Sequence, residues 1–231
     1  MPEWTSGPRA RARAQTIEDI KRTARSHLAT DGADLSLRSV ARDLGMVSSA
    51  VYRYFDSRDA LLTVLIIDAY DDLGEAAEQA EAAVRRSDLR GRWLAVCHAV
   101  RDWSTGHAAE YGLLYGTPVP GYSAPQDTIG PASRPVVVMT AILRDGFDRG
   151  ILAPLPHERL PAPIRSDLEG VIGLPGFGGV PPALLARGMG AWAAVFGLVS
   201  FELFGRLTNA VHDYDAWFDY QLRLITHQLG L

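Results

Sequence analysis

The sequence is almost without cysteine and lysine: of its 231 residues only Cys97 and Lys21 are of these types. A single cysteine closes no intrachain disulfide, which excludes a stapled secreted scaffold and points to a reducing cytoplasm. Arginine supplies twenty-two of the twenty-three basic residues, a bias that reads as codon usage rather than function. A long hydrophobic run is also missing. The uncharged, mostly apolar stretch between Arg187 and Glu202 has fourteen residues, short of the roughly 18 to 20 that span a bilayer. The first thirty residues hold no apolar h-region, so neither a secretory signal nor a membrane partner is expected. No segment alternates apolar and polar residues as a half-buried strand does, and no internal repeat is visible. These absences leave an all-α cytoplasmic chain.

At 47% hydrophobic and 22% charged residues, the composition suffices for a packed core. The net charge of −4 is unevenly spread: residues 1–56 hold nine Lys/Arg against seven Asp/Glu, and residues 57–231 hold fourteen against twenty. An anionic partner would therefore meet the N-terminal quarter. Residues 1–14, "MPEWTSGPRARARA", lack an apolar period and read as a flexible basic arm. Its Arg9, Arg11 and Arg13 suit a minor groove, phosphates or a solubilising tail equally well.

From Thr16 the pattern changes, with Ile17, Ile20, Ala24 and Leu28 at helical spacing, Thr16 and Asp19 in capping-box spacing, and Gly32 as a stop. A short helix capped by Ser36 turns Leu37, Val40, Ala41 and Leu44 inward, and Gly45 suits a left-handed turn. "SSAVYRYF", residues 48–55, follows with Ser48 as N-cap. Two short helices about a glycine turn make a helix-turn-helix, with "SSAVYRYF" as its recognition helix. Further helices are expected from residue 58 onward, near 89–107, 109–116 and 133–149, and at 182–207 and 214–229. The Pro/Gly-rich span 153–182 reads as a long loop. The last two helices are apolar around more of their circumference than one core needs, which suggests burial against a second copy of the chain.

Thr16 to Leu62 resembles the DNA-binding region of the TetR (tetracycline repressor) family, through the pattern G-(V/M)-S-x-x-x-x-Y-x-x-F-x-(S/N)-(K/R)-x-x-L around the recognition helix, with one residue inserted after Gly45-Met46 and Arg58 where lysine is commoner. The resemblance implies a homodimer with two helix-turn-helix heads, a C-terminal helical domain binding a small-molecule effector, and usually repression of nearby genes. The expected organisation is an arm at 1–14, a DNA-binding domain at 15–60, and an effector-binding and dimerisation domain at 61–231.

The residues themselves point to double-stranded DNA. Ser49 and Ala50 are small enough for the backbone to approach base edges, Arg53 can pair with guanine O6 and N7, and Tyr54 can donate to a phosphate. Tyr52 lies at the edge of the buried side, its hydroxyl free for phosphate, as the resemblance also implies. Ser36 and Ser48 start helices whose amides favour phosphate, Arg38 can reach the groove, and Arg58 can clamp the flanking strand. Trp93, Trp103, Tyr111, Tyr115, Met139, Phe147, Met189, Trp192 and Phe196 are candidates to line a pocket for a largely apolar or aromatic effector. Enzymatic signals are weak. His98, Asp102 and His107 do not converge on one helix face, and "GLPGFGG" lacks both the preceding strand and the Lys-Ser/Thr of a phosphate loop. Neither catalysis, metal nor cofactor is expected. The best reading is a ligand-responsive DNA-binding regulator; the alternative is a helical small-molecule-binding protein or enzyme without DNA binding.

Overall fold

The computed structural model of the chain describes residues 7–31, 35–155 and 159–231. The described residues form ten α-helices and no strand: α1 Pro8–Asp31, α2 Leu37–Asp43, α3 Ser48–Val51, α4 Arg58–Ala82, α5 Leu89–Gly106, α6 Ala108–Tyr115, α7 Ile129–Asp148, α8 Ala162–Ile172, α9 Pro182–Leu203 and α10 Tyr214–Leu229. They group into two compact units, one of residues up to Tyr70 with His107–Ile129, the other of Asp71–Gly106 with Gly130–Leu231.

The first unit contains the helix-turn-helix. Its core joins Ile20, Ala24 and Leu28 of α1, Leu37, Val40 and Ala41 of α2, Val51 and Phe55, and Leu61, Leu62 and Leu65 of α4. Each fully buried leucine contributes about 2 kcal/mol. Lys21, the one lysine, is buried and pairs with Asp68 of α4 at 2.6 Å, and Arg25 reaches the same carboxylate at 3.0 Å. This unit also takes in a segment that the sequence assigns to the C-terminal region. α6 packs on α1, and the strap after it inserts Val119 into the same core while the Tyr122 hydroxyl meets that of Thr63 at 2.9 Å.

The second unit is built around Trp93, Val96 and Val100 of α5, Ile142 and Leu143 of α7, Val195 and Val199 of α9, and Phe218 and Leu222 of α10. The fully buried Arg92 is paired with Glu81 and Asp145, at 2.6 Å to each from Nε and Nη1. Gly74 lets α7 approach α4 closely, because a Cβ there would lie 2.7 Å from Arg134 Cβ.

Two expectations are corrected. The helix begins at Pro8, not Thr16. Pro8 starts it because a missing N–H costs nothing in the first turn, and the Ala/Arg run that follows propagates it well. Thr16 consequently caps nothing and donates its hydroxyl to the Ala12 carbonyl at 2.9 Å. The span 153–182 contains α8, which starts with a proline in its first turn and buries Leu168. α9, at 22 residues, has the length and composition of a bilayer-crossing helix, a test that the core helix of a soluble protein also passes, and 33% of its apolar window is buried in the chain. Gly32 and His157 lie outside the described residues.

Candidate nucleic-acid interface

The turn between α2 and α3 depends on Gly45, whose φ of 66° only glycine adopts without strain. Its N–H bonds the Arg42 carbonyl, and that of Met46 bonds the Ala41 carbonyl, closing the last turn of α2. Ser36 is the N-cap of α2 but makes no side-chain cap bond. Ser48 is not a cap. It is the first residue of α3, and Val47, 71% exposed, occupies the cap position.

Regular α-helix in the recognition segment is confined to Ser48–Val51, but the chain keeps its direction through Phe55. Tyr52 N–H bonds the Ser48 carbonyl and Phe55 N–H the Val51 carbonyl, while Arg53 and Tyr54 make tighter three-residue bonds. The sides therefore divide as the sequence predicts, except that Tyr54, expected on the exposed side, is half-buried. Val51 and Phe55 are buried, and Ser49, Tyr52 and Arg53 are exposed, Tyr52 by 44%. Arg38 on α2 is exposed as well, and Ala50 and Ser48 are partly covered.

Two candidates are partly used by the fold itself. Arg58 donates from Nε to the Leu35 carbonyl at 3.1 Å, tying the start of α4 to the approach to α2. Tyr54 packs against the core, and the Arg13 guanidinium lies over its ring, 4.9 Å from the centroid. Sequence reasoning missed this contact because the two residues are far apart in the chain and share no spacing rule. It also missed His27 Nε2 and Asp43, 2.7 Å apart, which join α1 to α2; the hydrogen bond from His27 is the main cause holding the Asp43 carboxyl below its usual range.

The nine aromatic and methionine candidates do not converge as one set. Met139, Met189 and Trp192 line a small apolar cleft between α7 and α9 with a volume of about 10 Å³. Phe196 meets Trp192 with the rings tilted by 59° and their centroids 5.1 Å apart; Trp93 and Trp103 are buried, and Phe147 is exposed. Tyr111 and Tyr115 belong to the first unit, where their rings lie 5.0 Å apart and Tyr70 meets Tyr115 edge-on at 6.1 Å. Burial pushes the Tyr115 phenol well above its ordinary value.

Residues 20–65 match the family model of bacterial regulatory proteins of the tetR family, and residues 93–225 match that of the tetracyclin repressor-like C-terminal domain. The HTH-type transcriptional regulator Rv1816 of Mycobacterium tuberculosis is 40% identical over 227 residues, covering 97% of this chain and 96% of that protein. The solved structure of the regulatory protein SCO4313 superposes with a TM-score of 0.77 at 32% identity, over 95% of this chain and 98% of that one. A tetR-family regulatory protein from Rhodococcus RHA1 has a TM-score of 0.63 at 16% identity over 94% and 97% of the two chains, a likeness of fold.

Proposed function

We propose that this chain, which belongs to the TetR family of DNA-binding transcriptional regulators, is a dimeric cytoplasmic repressor that binds a palindromic operator and releases it when a small, largely apolar molecule binds its second unit. The observation that carries the reading is the recognition segment: one side anchored by Val51 and Phe55, the other presenting Ser49, Tyr52 and Arg53 to solvent. On this reading Arg53 reads guanine and Tyr52 holds a phosphate, with Ser36, Arg38, Ser48, Ala50, Tyr54 and Arg58 around them.

Dimerisation is supported by α9 and α10. Met189 and Phe201 on α9, Phe204 just after it, and Tyr220 and Leu224 on α10 are large, apolar and exposed, Phe201 by 52%. A Cβ at Gly190 or Gly197 would meet nothing within 4 Å, so this face is open to close approach by a second copy. Two heads so joined enter successive major grooves, with half-sites about 34–36 Å apart or a multiple of that.

Effector response is supported by the cleft at Met139, Met189 and Trp192. At about 10 Å³ it holds roughly one water, so an effector enters by displacing the two methionines, whose unbranched chains repack readily. A ligand that binds only the opened form shifts the population towards it, and α4, which supplies residues to both units, carries the change to the heads.

The test is a gel shift with duplex DNA from the region upstream of the chain's own gene. Arg53→Ala relaxes base preference by about 1–3 kcal/mol at one position, and Tyr52→Phe weakens binding to all sequences. Neither change appearing would rule out this recognition face.

A further inference from the structure

The first two turns of α1 differ from the rest of the first unit. Residues 8–15 are exposed throughout, and the first partly covered side chain is Thr16. They carry Arg9, Arg11 and Arg13, with no acidic residue between Glu3 and Glu18. None of the three arginines has an acidic partner among the described residues, whereas Arg22 and Lys21, one turn or two further on, are paired with Asp19 and Glu18. The arginines do not serve the helix, because cations in the first turns oppose its dipole. One of them is nevertheless fixed in place: Arg13 lies over Tyr54, at the C-terminal end of the recognition segment.

Helix geometry then sets the other two. Arg9 is four residues before Arg13, so it lies about 40° round from it and about 6 Å further along the axis, on the same strip of surface. Arg11 is two residues from each and lies on the opposite side. A strip that starts on Tyr54 and continues through Arg13 to Arg9 extends the recognition surface beyond its own helix.

We infer that Arg9 and Arg13 form a second DNA-contacting strip, gripping the duplex backbone that flanks the bases faced by Arg53, with Arg13 held in register by the Tyr54 ring. The proposal rests on the reading of residues 48–55 as the recognition face. It adds a site that contributes affinity without base identity, since guanidinium–phosphate contacts position the duplex and do not read it. Its signature is ionic. Each phosphate contact releases counterions, so losing one lowers the slope of log affinity against log salt by about 0.9 per bound subunit.

The experiment uses the full chain and a duplex selected by it from random-sequence DNA, with affinities measured across a range of salt. Arg9→Ala and Arg13→Ala are each expected to lower the salt slope by about 0.9 per subunit and to weaken the selected and a scrambled duplex by the same factor. Arg11→Ala is expected to leave both unchanged. Thermal unfolding should be unchanged for Arg9→Ala and Arg11→Ala, whose side chains are exposed, and should fall only slightly for Arg13→Ala, which loses its contact with the Tyr54 ring. Equal losses from all three substitutions would reduce the strip to a diffuse basic tail and overturn the proposal, as would an unchanged slope for Arg9→Ala. A wild-type chain that selects no duplex removes the recognition face and the strip together; a wild type that selects one with Arg53-dependent base preference, but with Arg9 silent, removes the strip alone.

Discussion

Arg134 shows at the residue scale how one side chain joins two helices. From α7 it donates to Asp71 at 2.7 Å and to Glu78 at 2.8 and 2.9 Å, on the C-terminal half of α4. The hydrogen bonds from Arg134 are the first cause holding the Glu78 carboxyl below its usual range. A carboxyl lowered on folding contributes stability above its unfolded value, and the contribution is lost as pH falls through the folded one. Arg134→Met should therefore lower stability at neutral pH, by no more than about 1 kcal/mol because the pair is solvent-screened. The gap between variant and wild type should close on acidification below pH about 4. Thermal unfolding followed from pH 7 to pH 3 measures it; a gap that persists in acid would mean that packing against Gly74, not charge, is what Arg134 supplies. None of this is legible in sequence, because residues 71 and 134 share no periodicity.

The elements that periodicity reveals are those with one buried stripe. α2 and the segments forming α4, α5, α7, α9 and α10 are readable because apolar residues recur every three or four positions and one neighbour covers them. α8 is not, because a single leucine, Leu168, is buried along its length and prolines crowd its start. The strap at residues 117–125 is not either: "TPVPGYSAP" has no period, yet Val119 completes the core of the helix-turn-helix unit. Its role depends on α6 folding back onto α1, which is a tertiary fact. Val119→Ser should destabilise that unit by about 1–2 kcal/mol, through lost burial and an added hydroxyl. Amide hydrogen exchange of α1 and α2 should quicken while that of α9 and α10 is unchanged. Uniform quickening would mean that the chain opens only as a whole, and no change would mean that Val119 is not part of this core.

For the whole molecule, the surface on which the proposed dimer rests is the exposed apolar one on α9 and α10. Phe201→Glu with Leu224→Arg places charges on that face without touching the buried residues around it. On the proposed reading, sedimentation should show the wild type as a dimer and this variant as a monomer at the same concentration, and operator affinity should fall by about 10²-fold or more as two heads lose their tether. An unchanged sedimentation coefficient would move the dimer contact elsewhere. By itself the sequence determined the all-helical class, the helix-turn-helix and which side of residues 48–55 is buried, because each depends on local spacing: three to four residues to a turn, and a glycine where φ must be positive. It also carried the family, through fixed residues around the turn. Only the tertiary structure decided that α6 and its strap join the head, that three of nine candidate pocket residues share a cleft, and that Arg13 reaches Tyr54. These are contacts between residues far apart in the chain, and they form only when burial of the cores brings their helices together.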